Sequence, residues 1–126
     1  MSDVVPTEIQ LGAITIRAGI SRMEDGTFGD SQVHPSAVIR VDDRLDPSSA
    51  AMTVIHELLH VISDTWRLDL SERQVCCLEQ AIGMMMFQNP SLMPSLQNAI
   101  RRPTIVQDPF VGRINAETPS DPSRRS

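Results

Sequence analysis

Residues 46 to 66 read DPSSAAMTVIHELLHVISDTW, and this stretch decides the fold. Asp46-Pro47 is a helix start. An Asp side chain can accept from the free N–H groups of the first turn, and Pro at the first helical position gives up an N–H that would have no helical partner. The pattern then runs without a break to about Asp64 or Trp66. Between Ala50 and Ile62 the only polar residues are Thr53, His56, Glu57 and His60. At about 100° per residue these four, with Asp64 one turn later, fall within roughly a 100° arc, and the rest of the circumference is apolar. Such a helix must be nearly surrounded by protein, so the other elements are expected to pack around it.

Upstream, Ile9 to Ile16 (IQLGAITI) is rich in β-branched residues and reads as a strand, followed by a polar, Gly-bearing connection. A second short strand is expected near Thr27 to Gln32. Ala37 to Asp42 (AVIRVD) is the clearest strand, bounded by Pro35 and by Asp42-Asp43, and is placed beside the helix. Downstream, Ser71 with Gln74 three residues later is a capping box that opens a helix running to about Gln88, where Asn89-Pro90 stops it. A shorter helix is expected over Ser91 to Arg101. The folded domain is therefore read as residues 1–102. From Pro103 the composition shifts to Pro, Asp, Ser, Thr and Arg around a small apolar patch, and residues 103–126 are expected to form a flexible tail.

Composition narrows the classes of function. A chain of 126 residues holds one core, and 40% hydrophobic with 21% charged residues is globular. Aromatics are only 3%, so the core should be aliphatic and methionine-rich, with Met84, Met85 and Met86 as filling. A net charge of −5, no Tyr and one Trp offer neither the basic patch nor the stacking platform that nucleic acid needs. No apolar run approaches a membrane span and the N-terminus does not resemble a signal peptide, so the chain reads as soluble and cytoplasmic. Cys76 and Cys77 are adjacent, a spacing unsuited to a useful disulfide, and are expected to be reduced core thiols.

The chemistry lies in the polar stripe. An ordinary solvated helix face would carry Lys, Arg or Gln over a broader arc. This one carries two His at i and i+4, Glu at i+1, and no cation. Two imidazoles one turn apart can converge on one ion, and nitrogen donors at ~2.0–2.1 Å suit Zn²⁺, with the fourth position of a catalytic site left to water. Glu57 is placed to take a proton from that water, whose pKa zinc lowers toward ~7. This is the HExxH arrangement. No His follows His60, so the third ligand should be a downstream carboxylate. Glu72 and Glu79 lie seven residues apart on one helical face, and phase alone does not separate them. Asp64 is a candidate to orient a ligand imidazole, and His34 a candidate hydrogen-bond donor to the reacting group. A thiolate of the cysteine pair could in principle compete for the metal.

Taken together, Ile39 to Asp42 (IRVD), Thr53 to Asp64 (TVIHELLHVISD), Leu68 to Val75 (LDLSERQV) and Asn89 to Leu92 (NPSL) resemble the small HExxH metallopeptidase-like proteins of tailed bacteriophages and prophages, related in outline to minimal gluzincins. The resemblance spans roughly residues 14–96. It implies an α+β, zincin-like domain in which a short antiparallel or mixed sheet packs on the HExxH helix and a second helix brings a ligand. It implies Glu72 as third ligand beside His56 and His60; Glu79 departs from the family pattern, in which that position is more often small. It also implies a host-cytoplasmic setting, and a peptide or protein substrate lying extended along an edge strand near Val38 to Val41. The leading expectation is a zinc-dependent hydrolase that cleaves peptide bonds by Glu57-assisted attack of a zinc-bound water. The rival expectations are a metal-stabilised protein-binding module without catalysis, and hydrolysis of an ester or phosphoester.

Overall fold

A computed structural model describes residues 5–100. The expected tail, and the end of the third helix at Arg101, lie outside the described residues. These residues form a small α+β domain with a four-stranded mixed sheet and three helices.

The stretch read as a single strand is a hairpin. β1 (Glu8–Leu11) turns through Gly12 and Ala13 into β2 (Ile14–Ser21), with Leu11 opposite Ile14. Gly12 sits at φ +62°, a left-handed conformation that glycine adopts without a Cβ clash, and this is why the run reverses there. β3 (Gly29–Gln32) and β4 (Val38–Asp42) follow near their expected places. The sheet order is β1-β2-β4-β3, with β4 parallel to β2 and antiparallel to β3.

Period-two alternation sends Ile14, Ile16 and Ala18 of β2 and Ile39 and Val41 of β4 to one face, against Ala50, Val54 and Val61 of α1 (Pro47–Thr65). Arg17 and Arg40 point the other way and are exposed, Arg40 pairing with Asp30. The buried core is aliphatic as expected, but no methionine among the described residues is part of it.

α1 lies close against the sheet. A Cβ on Gly29 would come within 2.6 Å of the Arg40 carbonyl oxygen and 2.7 Å of Thr53 Cγ2, so only glycine lets β3 sit between β4 and the helix. Asp46 caps α1 by accepting from the Ser49 N–H at 2.7 Å. At the corner before α1, burial pushes the Asp42 carboxyl up. The Met23 N–H and the Arg44 guanidinium outweigh that and hold it below the ordinary carboxylate range. Arg44 also reaches Asp25, which ties the loop preceding β3 to this corner.

The capping box forms as read: Ser71 Oγ accepts from Gln74 N–H and Gln74 Oε1 accepts from Ser71 N–H. It opens α2 (Glu72–Gln88), which packs on α1, and α3 (Leu92–Ala99) follows Asn89-Pro90. α2 buries only Val75, however. Met84, Met85 and Met86 are exposed rather than core filling, and Cys76 and Cys77 are free but exposed rather than buried. The reason is topological: α1 already covers the helical side of the sheet, so α2 docks on α1 alone and much of its apolar surface has no layer to pack against. No helix among the described residues is long and apolar enough to cross a membrane.

Candidate metal centre

The polar stripe of α1 faces a cleft of about 780 Å³ between α1, α2 and the segment entering β3. Thr53, His56, Glu57, His60 and Asp64 all line it, as their shared arc requires. Thr53 is satisfied within its own helix, donating to the Ser49 carbonyl at 2.8 Å. From α2, Glu72, Cys76 and Glu79 line the opposite wall. Their i, i+4, i+7 spacing makes them one stripe, and the Ser71 cap sets where that stripe begins.

The two histidines and the two glutamates interlock. Glu72 Oε2 lies 2.9 Å from His56 Nε2, and its Oε1 lies 3.0 Å from His60 Nε2. Both imidazoles therefore aim Nε2 at one carboxylate, with ring centroids 5.0 Å apart. Glu79 Oε1 lies 2.9 Å from His56 Nδ1. Both glutamates that helical phase puts on one face reach His56, on opposite nitrogens.

This places an unusual demand on His56. A neutral imidazole has one N–H, yet here each ring nitrogen faces a carboxylate oxygen at 2.9 Å. One of these contacts would set lone pair against anion unless the ring is an imidazolium or a cation takes the Nε2 side. Burial pulls the His56 pKa down, but the Glu79 hydrogen bond and the fields of Glu72 and Glu57 outweigh it and leave it raised. The surrounding carboxylates favour positive charge at the ring.

Glu57 strengthens that demand. The residue is buried, lines the cleft, and takes part in no side-chain hydrogen bond or ion pair among the described residues. The donor set fits a divalent ion: ligand atoms of His56, His60 and Glu72 lie within 4.8 Å of one another. A second set, His56, Cys76 and Glu79, meets the same distance. The first is the better site, because both Nε2 atoms already converge there and Glu79 is engaged at Nδ1. Partial desolvation and the Glu72 and Glu79 carboxylates push the Cys76 thiol up, which favours the neutral thiol over the thiolate a metal needs.

Two expected participants are elsewhere. His34 is exposed in the loop between β3 and β4 and does not line the cleft. Asp64 lines the cleft but makes no hydrogen bond to either imidazole; Glu79 is the carboxylate on His56 Nδ1. The wall from Gly26 to Ser31, with Phe28 58% exposed, carries no chemical signature in the sequence beyond a short strand. It joins the site only because β3 is the sheet edge nearest α1. β4, expected to offer an edge to substrate, is interior, paired on both sides by β2 and β3.

Compared with protein-family models, curated proteins and solved structures, the chain finds no match.

Proposed function

We propose that the cleft is the centre of a zinc-dependent hydrolase of zincin-like design, acting on peptide bonds. The observation that carries this reading is His56, held between two carboxylates and beside a buried third, in an arrangement that a cation at Nε2 completes. His56 and His60, through Nε2, and Glu72 would hold the ion. When bound, Zn²⁺ supplies polarisation of the substrate carbonyl and lowers the pKa of a water toward ~7. Glu57 takes the proton from the attacking water and hands it to the leaving amine. Glu79 accepts from His56 Nδ1–H, which fixes the tautomer and leaves Nε2 free to ligate. The outer edge of β3 has no strand partner among the described residues, so Gly29 to Gln32 offers backbone groups to an extended peptide.

Elemental analysis and turnover test this together. Wild type and Glu57→Gln should each hold about one zinc per chain, while Glu72→Ala loses most of it. Glu57→Gln should lower turnover by about 10²- to 10⁴-fold. Zinc absent from wild type after incubation with excess metal would end this reading. Activity on phosphoesters but not on peptides would leave the metal and remove the peptidase.

One observation favours a second reading, a metal-stabilised protein-binding module. Met84, Met85, Met86 and Phe87 on α2 and Met93 and Leu96 on α3 are all exposed, an apolar surface of the kind that serves protein contacts. Under that reading Glu57→Gln leaves function intact, whereas His56→Ala abolishes it.

A further inference from the structure

Five acidic residues line the cleft, Asp30, Glu57, Asp64, Glu72 and Glu79, and among the described residues no Lys or Arg lines it. Four of the five have work that the site explains. Asp30 is paired with Arg40 on the outer side of the sheet. Glu72 bridges the two imidazoles and Glu79 holds His56. Glu57, a buried residue whose carboxylate makes no hydrogen bond among the described residues, lines the cleft beside them.

Asp64 is the remainder. It is exposed, and while its backbone carbonyl accepts from the chain turning out of the helix, its carboxylate takes part in no hydrogen bond or ion pair among the described residues. It is also poorly placed for stability. α1 ends at Thr65 with no basic residue in its last turn, so Asp64 sets a negative charge against the negative end of the helix dipole. A cap or a surface charge chosen for the helix would have the opposite sign. Its position is informative: one turn beyond His60 on the same face, it stands about 6 Å along the helix axis from the second imidazole. That is within reach of a long side chain on a substrate residue next to the bond held at His56 and His60. A bound divalent ion and Arg40 offset three of the five negative charges, so the loaded cleft stays anionic.

We propose that Asp64 is a specificity-determining residue, and that the cleft selects peptide segments carrying Lys or Arg beside the scissile bond. This rests on the hydrolase reading above. An ammonium or guanidinium placed at Asp64 meets the one uncommitted carboxylate of the cleft, while an acidic or phosphorylated residue meets repulsion from every side. Asp64 acts on substrate binding, so its effect falls on KM and is screened by salt.

The test uses the zinc-loaded full chain and three fluorogenic peptides that differ only in Lys, Gln or Glu beside the cleaved bond. Wild type should rank them Lys, Gln, Glu by kcat/KM, with the spread narrowing as salt rises. Asp64→Asn should cut the Lys-to-Gln ratio by about 2- to 5-fold, the range of an exposed ion pair, mainly through KM, and Asp64→Lys should bring the ratio below one. Thermal unfolding of Asp64→Asn should match or exceed wild type, which separates selection from a folding defect. Cleavage that favours the Glu or Gln peptide, or an Asp64→Asn variant with an unchanged ratio, overturns the proposal and leaves the hydrolase standing. If no peptide is cleaved, the same three are titrated against Glu57→Gln by fluorescence anisotropy. Salt-sensitive preference for the Lys peptide, weakened by Asp64→Asn, sustains charge selection although hydrolysis has failed. Equal or absent binding overturns both.

Discussion

α1 and α2 carry the two halves of the same centre but are held in different ways. α1 lies on the sheet and buries seven residues, Thr53 and Glu57 among them. α2 supplies Glu72 and Glu79 yet buries one, Val75, while Phe87 at its end is 85% exposed. Packing therefore presets His56, Glu57 and His60. The carboxylate half is docked through Val75, through the close approach of Gly83 to Met52, and through the histidine–glutamate contacts themselves. A ligand shared between a rigid wall and a weakly packed one stabilises the weak wall most.

Metal removal should break this comparison most visibly. A site saturated at about 1,000 times its Kd adds about 4 kcal/mol to folding stability, and chelation should remove it. Hydrogen exchange should then accelerate through Glu72 to Gln88 while Ala50 to Val61 stays protected. Uniform acceleration of both helices would mean that α1 is not preset.

The two close-approach glycines sharpen the contrast. At Gly29 an added Cβ meets the Arg40 backbone carbonyl at 2.6 Å, which cannot swing aside, so Gly29→Ala should destabilise by about 1–3 kcal/mol in urea unfolding. At Gly83 the obstacle is the far end of the Met52 side chain, at 2.5 Å from Sδ. That end can rotate, and Ala gains up to about 1 kcal/mol of helix propensity over Gly, so Gly83→Ala should lie near zero. Equal costs at the two positions would mean that the α1–α2 contact is as unyielding as the sheet.

Acid should act on the α1 side, with a smaller effect. Asp42 titrates below its ordinary value of 3.8 in the fold. Its contribution is present above the unfolded pKa and is lost as pH falls through the folded one. Asp42→Asn should flatten the fall in thermal stability as pH drops below the ordinary carboxylate range, without changing exchange in α2 at neutral pH.

Much of this was legible in residue order. The caps at Asp46 and Ser71 are local chemistry, and they set helix starts that the fold reproduces. The strand before α1 was legible from Val38, Ile39 and Val41. The hairpin was missed because Gly12-Ala13 interrupts an otherwise β-rich run by only two residues. The methionines were misassigned because a run of apolar residues in a helix does not say whether a second layer exists to cover it. Glu79 was weighed against Glu72 as a rival ligand, whereas space uses both, one on each side of His56.

By itself the sequence determined which residues share a face: His56, Glu57, His60 and Asp64 on one helix, and Glu72 and Glu79 on another, because helical phase is a property of spacing alone. Only the tertiary structure decided which nitrogen meets which carboxylate, that β3 and not β4 is the edge beside the cleft, and that Asp64 is left without a partner. Those depend on how two helices and a strand from separate parts of the chain approach one another, and Gly29 and Gly83 admit that approach without announcing it.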